Sequence, residues 1–336
     1  MEKEIDVAGI GNAIVDVLTQ VEDDFLKIYG LKKGSMTLID EKMAEELYSS
    51  INITEEISGG SAANTIAGLA SLGKKTAFIG KVKNDSLGSS FDYGLNCIGV
   101  QCNAIKENKG LSTARCIIFV TPDAQRTMCT FLGVAGQLNL NDIKKNEPVI
   151  ANSKILYLEG YLWDKPEAKL AIRKAIQIAK ENKSKVAFSL SDSFCVQRHK
   201  YEFLDLIKKD IDIIFANEDE ITSLFDKKDF NVATMECRNH NAVWALTRSE
   251  KGSTIVFKDE IHHIEIDKVE KLIDTTGAGD LYAAGFLNGF LENKDLKTCG
   301  RMGSIAASEI ISHFGARPKF PLTKLFKMKN LYNERI

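Results

Sequence analysis

Short runs of apolar and β-branched residues alternate along this chain with longer stretches whose apolar positions recur every three to four residues. The first pattern fits strands covered on both faces; the second fits helices laid against them. Strands are predicted at 5–11, 76–80, 154–159, 185–189, 212–216 and 242–247. Helices are predicted at 61–72, 85–98, 166–181 and 193–208, and the chain is mostly helical from Ala278 onward. This alternation predicts a doubly wound, three-layer α/β/α sandwich around a mainly parallel central sheet. Two regions break the rhythm. Residues 13–21 and 35–40 are strand-like, with no strong helix signal at either end. Residues 113–120 and 126–133 form a hairpin pattern around Thr121-Pro122-Asp123-Ala124-Gln125. These four strands are expected to pair into a small sheet that acts as a lid over a crevice. No repeat, low-complexity segment or Pro/Gly/Ser-rich linker interrupts the chain, so the lid is expected as an insertion. The expected large α/β domain is then 1–12, 41–110 and 134–336, and the lid is 13–40 and 111–133.

Hydrophobic residues make up 44% of the chain and charged residues 27%, which excludes a disordered or collagen-like polymer. Lys and Arg number 44 against 46 Asp and Glu, so no bulk basicity points to a nucleic-acid partner. The longest helix-like apolar stretch, 278–291, is too short to span a bilayer and contains Asp280. It reads as a buried core helix, and no membrane partner is expected. The start of the chain shows no signal-peptide pattern, and its seven cysteines are scattered without a Cys-x-x-Cys pair. Free thiols in a reducing cytoplasm are expected, without a cysteine metal cluster.

The stretch richest in chemistry is Asp274-Thr275-Thr276-Gly277-Ala278-Gly279-Asp280, which opens the apolar helix. Small residues allow close backbone approach, and unpaired N–H groups of a helix's first turn attract a phosphate or a developing oxyanion. A carboxylate repels phosphate, so Asp280 makes sense there if it meets the hydroxyl that attacks the phosphate. The plainer reading is a tight turn in which Asp280 complements the helix dipole by about 0.3–1 kcal/mol. That dipole is also expected to lower the Asp280 pKa and weaken it as a base. The cost is limited, because phosphoryl transfer depends mainly on positioning and charge neutralisation.

Other clusters admit two readings each. Ser58-Gly59-Gly60-Ser61-Ala62-Ala63-Asn64 exposes backbone amides and an amide side chain to a ligand, or is a helix start capped by Ser58 or Ser61. Gly11-Asn12-Ala13-Ile14-Val15-Asp16 carries polar groups where the chain leaves for the lid; Asp16 suits vicinal hydroxyls, or is an exposed lid residue. Asn217-Glu218-Asp219-Glu220 fits both a cation-organising pair and a helix capping box. Arg126 after the lid turn is a ligand contact or a solvated charge. Two patterns are rejected. Residues 68–75 approximate a phosphate loop, but Lys75 replaces the required Ser/Thr and the pattern ends a helix; Gly73 reads as a C-terminal helix glycine. Gly9-Ile10-Gly11 starts like a dinucleotide fingerprint, but strand-like residues follow where a helix should open. The five histidines show no metal-ligand spacing.

The heptapeptide 274–280 resembles, over its whole length, the C-terminal signature of the ribokinase-like, or PfkB, carbohydrate and nucleoside kinases. The resemblance runs roughly from Ile5 to Pro318 with its motifs in order. It implies that Asp280 is the catalytic base, that Gly277, Ala278 and Gly279 form the anion hole, and that Asp274 and Thr276 serve a monovalent cation such as K+. It assigns Gly59, Gly60 and Asn64 to sugar hydroxyls, with Asn12 and Asp16 as further substrate contacts and Arg126 as a lid arginine. Asn217 and Glu220 match the Asn-x-x-Glu motif that organises Mg2+ and its waters. Thr247 and Gly252 match part of an ATP-phosphate motif, but Ser249 stands where glycine is usual, so that contact is lost or passes to its hydroxyl. The implied activity is transfer of the γ-phosphoryl of ATP to a hydroxymethyl group, with lid closure excluding water. Gly11-Asn12, the Gly-Gly-Ser-Ala-Ala-Asn variant and Gly315-Ala316-Arg317-Pro318 look more like adenosine-kinase-like members than like ribokinase. Adenosine or a related purine nucleoside is the expected acceptor, and a free sugar such as ribose or fructose is the alternative. Phe131 and Phe194 are candidates for stacking on the base, or are packing residues. A nicotinamide-dependent oxidoreductase and a non-catalytic nucleoside sensor are the competing classes. The protein is expected as a monomer or a lid-paired homodimer.

Overall fold

The computed structural model describes residues 3–123 and 125–332. The larger sheet has nine strands, in the order Glu260–Ile264, Ser253–Phe257, Val243–Thr247, Ile213–Asn217, Lys185–Ser189, Ser153–Glu159, Ile5–Ile10, Thr76–Ile79 and Val100–Cys102. All neighbours pair in parallel except the last hairpin, Ser253–Phe257 with Glu260–Ile264, whose two contacts are antiparallel. Successive side chains feed two separate cores, as a strand's period of two requires. Tyr157, Phe215 and Ala245 face the core beneath helices Ser61–Ser71, Ala278–Leu291 and Leu296–Ile310. Leu158, Phe188 and Trp244 face the core beneath Pro166–Glu181 and Ser193–Lys209. The expected three-layer sandwich is therefore present, and residues 278–291 do form a buried core helix.

The smaller sheet has five strands, in the order Met36–Leu38, Arg126–Phe131, Ala114–Val120, Ile14–Gln20 and Glu55–Gly59. Four were expected. The fifth, Glu55–Gly59, falls in the segment the sequence assigned to the large domain; it is short, polar at its start and an edge strand, so it carries no clear alternation. Two helices flank these strands where no strong signal was read, Asp23–Ile28 and Glu41–Ser49. The second is capped by Asp40, whose side chain accepts from Met43 N at 2.8 Å. Ala124, inside the expected hairpin turn, lies outside the described residues.

Strand order places the site. From Ile5–Ile10 the chain builds outward to Thr76–Ile79 and Val100–Cys102, then returns to pair Ser153–Glu159 on the opposite flank. In such sheets a crevice opens beyond the carboxyl ends of the strands where the order reverses. Three strands of the small sheet are inserted at that point, leaving through Gly11-Asn12 and returning through Gly59-Gly60, and the other two come from a later excursion between Val100–Cys102 and Ser153–Glu159. Gly73, at φ +78°, ends its helix as expected of a C-terminal glycine, so residues 68–75 are no phosphate loop. All seven cysteines are free, and among the described residues no helix is long and apolar enough to cross a membrane.

Candidate active site

Gly277 caps helix Ala278–Leu291 in the left-handed region, at φ +77°, and a Cβ there would lie 2.7 Å from the Ala316 methyl. Glycine is required on both counts. Ala278 N donates to Thr275 O at 3.2 Å and closes the turn. The amides of Gly279 and Asp280 have no acceptor within the helix, and open space lies beside Gly279.

The first residue of the motif does something other than expected. The Asp274 carboxylate accepts from Thr276 N and Gly315 N, both at 3.0 Å, and pairs with Arg126 Nη1 at 2.8 Å. Arg126 Nη1 also donates to Thr276 Oγ1 at 3.3 Å. A guanidinium thus stands where the sequence placed a monovalent cation. Asp274 and Thr276 brace the loop, and their side chains do not fit a cation site. Arg126 itself is 12% exposed and not a solvated charge. It crosses from the small sheet to the loop and lies over the Phe314 ring.

Asp280 points into the cleft. Its Oδ1 accepts from Ser61 Oγ at 2.6 Å and its Oδ2 from Asn64 Nδ2 at 2.9 Å. Burial raises its pKa to about 6, against the bonds from Ser61 and Asn64 and the charge of Arg317. The expected lowering by the helix dipole is overturned: loss of solvation outweighs it. Ser61 is not a helix cap either; its hydroxyl serves Asp280, and Gly60 holds the cap position.

Asp16, on the small sheet, lies within electrostatic reach of Asp280 and Arg317. A Cβ on Gly59 would sit 2.3 Å from Asp16 Oδ2, and one on Gly60 (φ +93°) 2.3 Å from Asn12 O. Burial lifts the Asp16 pKa to about 7, with Arg317 and Arg126 opposing and Asp280 and Asp274 adding to the rise. No donor among the described residues bonds its carboxylate, which leaves it open to hydroxyls of a ligand. Asn12 departs from expectation. It is 2% exposed, and its N and Nδ2 both donate to Glu159 Oε1 at 2.8 Å. Glu159 Oε2 accepts from Ala62 N at 2.8 Å, so one carboxylate clasps the outgoing and returning arms of the insertion. Burial raises the Glu159 pKa to about 7. The sequence offered no signal for Glu159 beyond its place at the end of a strand.

A cleft of about 630 Å³ continues past Asp280 and Gly279 to Asn217, Thr247, Ser249 and Gly252. Asn217 and Glu220 form the capping box: the Asn217 side chain accepts from Glu220 N at 2.8 Å, and Glu220 accepts from Asn217 N at 3.1 Å. Glu220 also borders the cleft, with its pKa raised to about 7 chiefly by burial. The capping-box reading is the one observed. Ser249, at φ +50°, stands in the left-handed region that favours glycine, and Gly252 at φ +80° has Ile264 O only 2.0 Å from its Cβ position. Phe131 is packed at 5% exposure and Phe194 is 70% exposed; neither borders this cleft.

A carboxylate among the amides of a helix start, in a crevice under an inserted sheet, suits phosphoryl transfer to a small molecule. Residues 24–323 match the family described as pfkB family carbohydrate kinase, and the chain belongs to that family. It is similar to the crystal structure of adenosine kinase from Sinorhizobium meliloti, at 42% identity and TM-score 0.89, covering 97% of this chain and 99% of that one. It is also similar to a probable sugar kinase from Rhizobium etli CFN 42, at 40% identity and TM-score 0.89, covering 98% and 100%. A 5-dehydro-2-deoxygluconokinase of Bacillus licheniformis is 26% identical over 329 residues, 95% of this chain and 94% of its own. Membership removes the oxidoreductase alternative, and Ile14–Gln20 is a strand where a dinucleotide fingerprint needs a helix.

Proposed function

We propose that this PfkB-family kinase transfers the γ-phosphoryl of ATP to the 5′-hydroxyl of adenosine or a related purine nucleoside. Asp280, at a pKa of about 6, takes the proton of the attacking hydroxyl, and its bonds to Ser61 and Asn64 aim it. The amides of Gly279 and Asp280 face the charge that develops on the phosphoryl oxygens. Thr247, Ser249 and Gly252 lie where the triphosphate would extend along the cleft.

Asn217 and Glu220 fit Mg2+. Glu220 is buried, its bonds come from Asn217, and its raised pKa marks a carboxylate whose ionisation a nearby cation would favour. When bound, Mg2+ supplies charge neutralisation on the phosphates, with these two residues holding its waters. Any potassium requirement would rest on groups other than the Asp274 and Thr276 side chains.

The observation that favours a nucleoside is the inner face of the small sheet. Residues paired in register share a face: Asp16 with Cys116 and Ile57, Leu18 with Ile118, and Ile118 with Met128. Asp16 thus ends an apolar stretch of Leu18, Ile57, Ile118 and Met128, on a face that also carries Thr130, Arg126 and Glu55. A nucleoside has a diol at one end and a flat heteroaromatic base at the other. A free sugar carries hydroxyls around its ring and would leave several unpaired there. A free sugar such as ribose or fructose is the second reading, favoured by the sugar-kinase names of two relatives. With adenosine as acceptor the enzyme would serve purine salvage in the cytoplasm. ATP consumption against a panel of nucleosides and sugars, with and without potassium, tests the choice. Adenosine is expected to give the highest kcat/KM; a higher value for any free sugar overturns the nucleoside assignment.

A further inference from the structure

The segment Phe314-Gly315-Ala316-Arg317 touches the site at each of its residues. Phe314 lies under the Arg126 guanidinium, Gly315 N donates to Asp274, and the Ala316 methyl fills the space beside Gly277. Arg317 reaches furthest. Its Nη1 donates to Asn64 Oδ1 and its Nη2 to the carbonyl of Ser58, just before the Gly59-Gly60 return from the small sheet.

A guanidinium is a donor only. Its bond to Asn64 Oδ1 therefore dictates which end of that amide faces Asp280, and the Nδ2 end is the one that bonds Asp280 Oδ2, at 2.9 Å. Without it the amide is free to turn its oxygen toward the carboxylate, setting acceptor against acceptor. We propose that Arg317 is a positioning residue: it locks Asn64 into the orientation that holds Asp280, and it is the fixed positive charge between Asp280 and Asp16. This rests on the kinase reading with Asp280 as base.

The groups that act on Asp280 come from every element around it. Ser61 and Asn64 lie on helix Ser61–Ser71, Tyr157 and Glu159 on strand Ser153–Glu159, Tyr161 just beyond it, Asp16 on the small sheet and Arg317 on the C-terminal segment. Of these only Arg317 is positive. It favours ionised Asp280 and opposes the effect of burial. Its own pKa falls to about 10, so it stays charged at neutral pH.

The test compares the pH dependence of kcat/KM in the wild type, Arg317→Gln and Arg317→Lys, with thermal unfolding as the check on folding. Arg317→Gln removes the charge. Its acid limb is expected to move up by about one pH unit or more, and kcat/KM at neutral pH to fall at least ~10-fold. Arg317→Lys keeps the charge but not the two-pronged grip. Its acid limb is expected to stay where the wild type has it, while KM for the acceptor alcohol rises. An unmoved limb in a folded Arg317→Gln overturns the proposal, whatever the loss of rate, because a purely structural role would lower activity without shifting the limb. Should the Gln variant fail to fold, Arg317→Lys decides: wild-type kcat/KM, or a fall in kcat/KM without a rise in KM for the acceptor, overturns the proposal, and a raised acceptor KM on an unshifted limb supports it. A wild type that phosphorylates no alcohol removes the kinase reading itself, and an active wild type whose folded Arg317→Gln variant keeps the same limb removes only the Arg317 role.

Discussion

At Asp280 two effects oppose one another. The start of a helix stabilises a carboxylate, and enclosure in protein destabilises it. Here enclosure prevails, giving a pKa of about 6 where the ordinary carboxyl value is 3.8. As the proposed base, Asp280 must be ionised to accept a proton, so kcat/KM is expected to rise with pH along an acid limb near 6 and then level off. Asp280→Asn keeps the shape of the site without the base. It should retain substrate binding by calorimetry and lose at least ~10² in turnover; near-normal turnover would refute the assignment. Asp280 and the neighbouring glycines stood out in the sequence because they adjoin in one contiguous turn. Ser61, the partner of Asp280 Oδ1, looked like a helix cap because hydroxyls at helix starts usually are caps.

Among the elements, those with strong patterns appear almost as read. Helix Pro166–Glu181 and strand Lys185–Ser189 begin and end where their alternation does. Elements with weak patterns were missed or misplaced, among them strand Glu55–Gly59 and helix Asp23–Ile28. Their pairing and packing come from distant segments that local sequence does not encode. The turn after strand Val243–Thr247 shows how a departure from a motif can leave its backbone intact. Ser249 keeps the positive φ of +50° that glycine adopts freely. A left-handed L-residue costs roughly 1–2 kcal/mol, partly offset by the greater entropy a glycine loses on folding. Ser249→Gly is expected to stabilise the protein by about 1 kcal/mol or less in chemical denaturation. It should leave the KM for ATP unchanged if backbone groups carry the phosphate contact; a raised KM would assign that contact to the hydroxyl.

Across the whole molecule, the first insertion of the small sheet leaves at the reversal of strand order, and Glu159 clasps its outgoing and returning arms there. Arg126 makes the second tie, from the small sheet to Asp274 in the anion loop. Closure of this kind keeps water from the phosphoryl group. Arg126→Ala is therefore expected to lower kcat and to raise the fraction of ATP hydrolysed without acceptor phosphorylation, measured as ADP formed per phosphorylated product. An unchanged ratio would show that Arg126 has no part in sealing the site. The sequence by itself determined the layered parallel sheet and the glycine turn before the buried helix, because both follow from local periodicity and from residue types that adjoin in the chain. Tertiary structure alone decided that Arg317 meets Asn64 across 253 positions, that Glu159 meets Asn12 across 147, and that Asp274 is braced by Arg126 across the site. It also decided the proton affinity of Asp280, since a carboxylate's charge depends on the solvent and countercharges left to it, and only folding sets those.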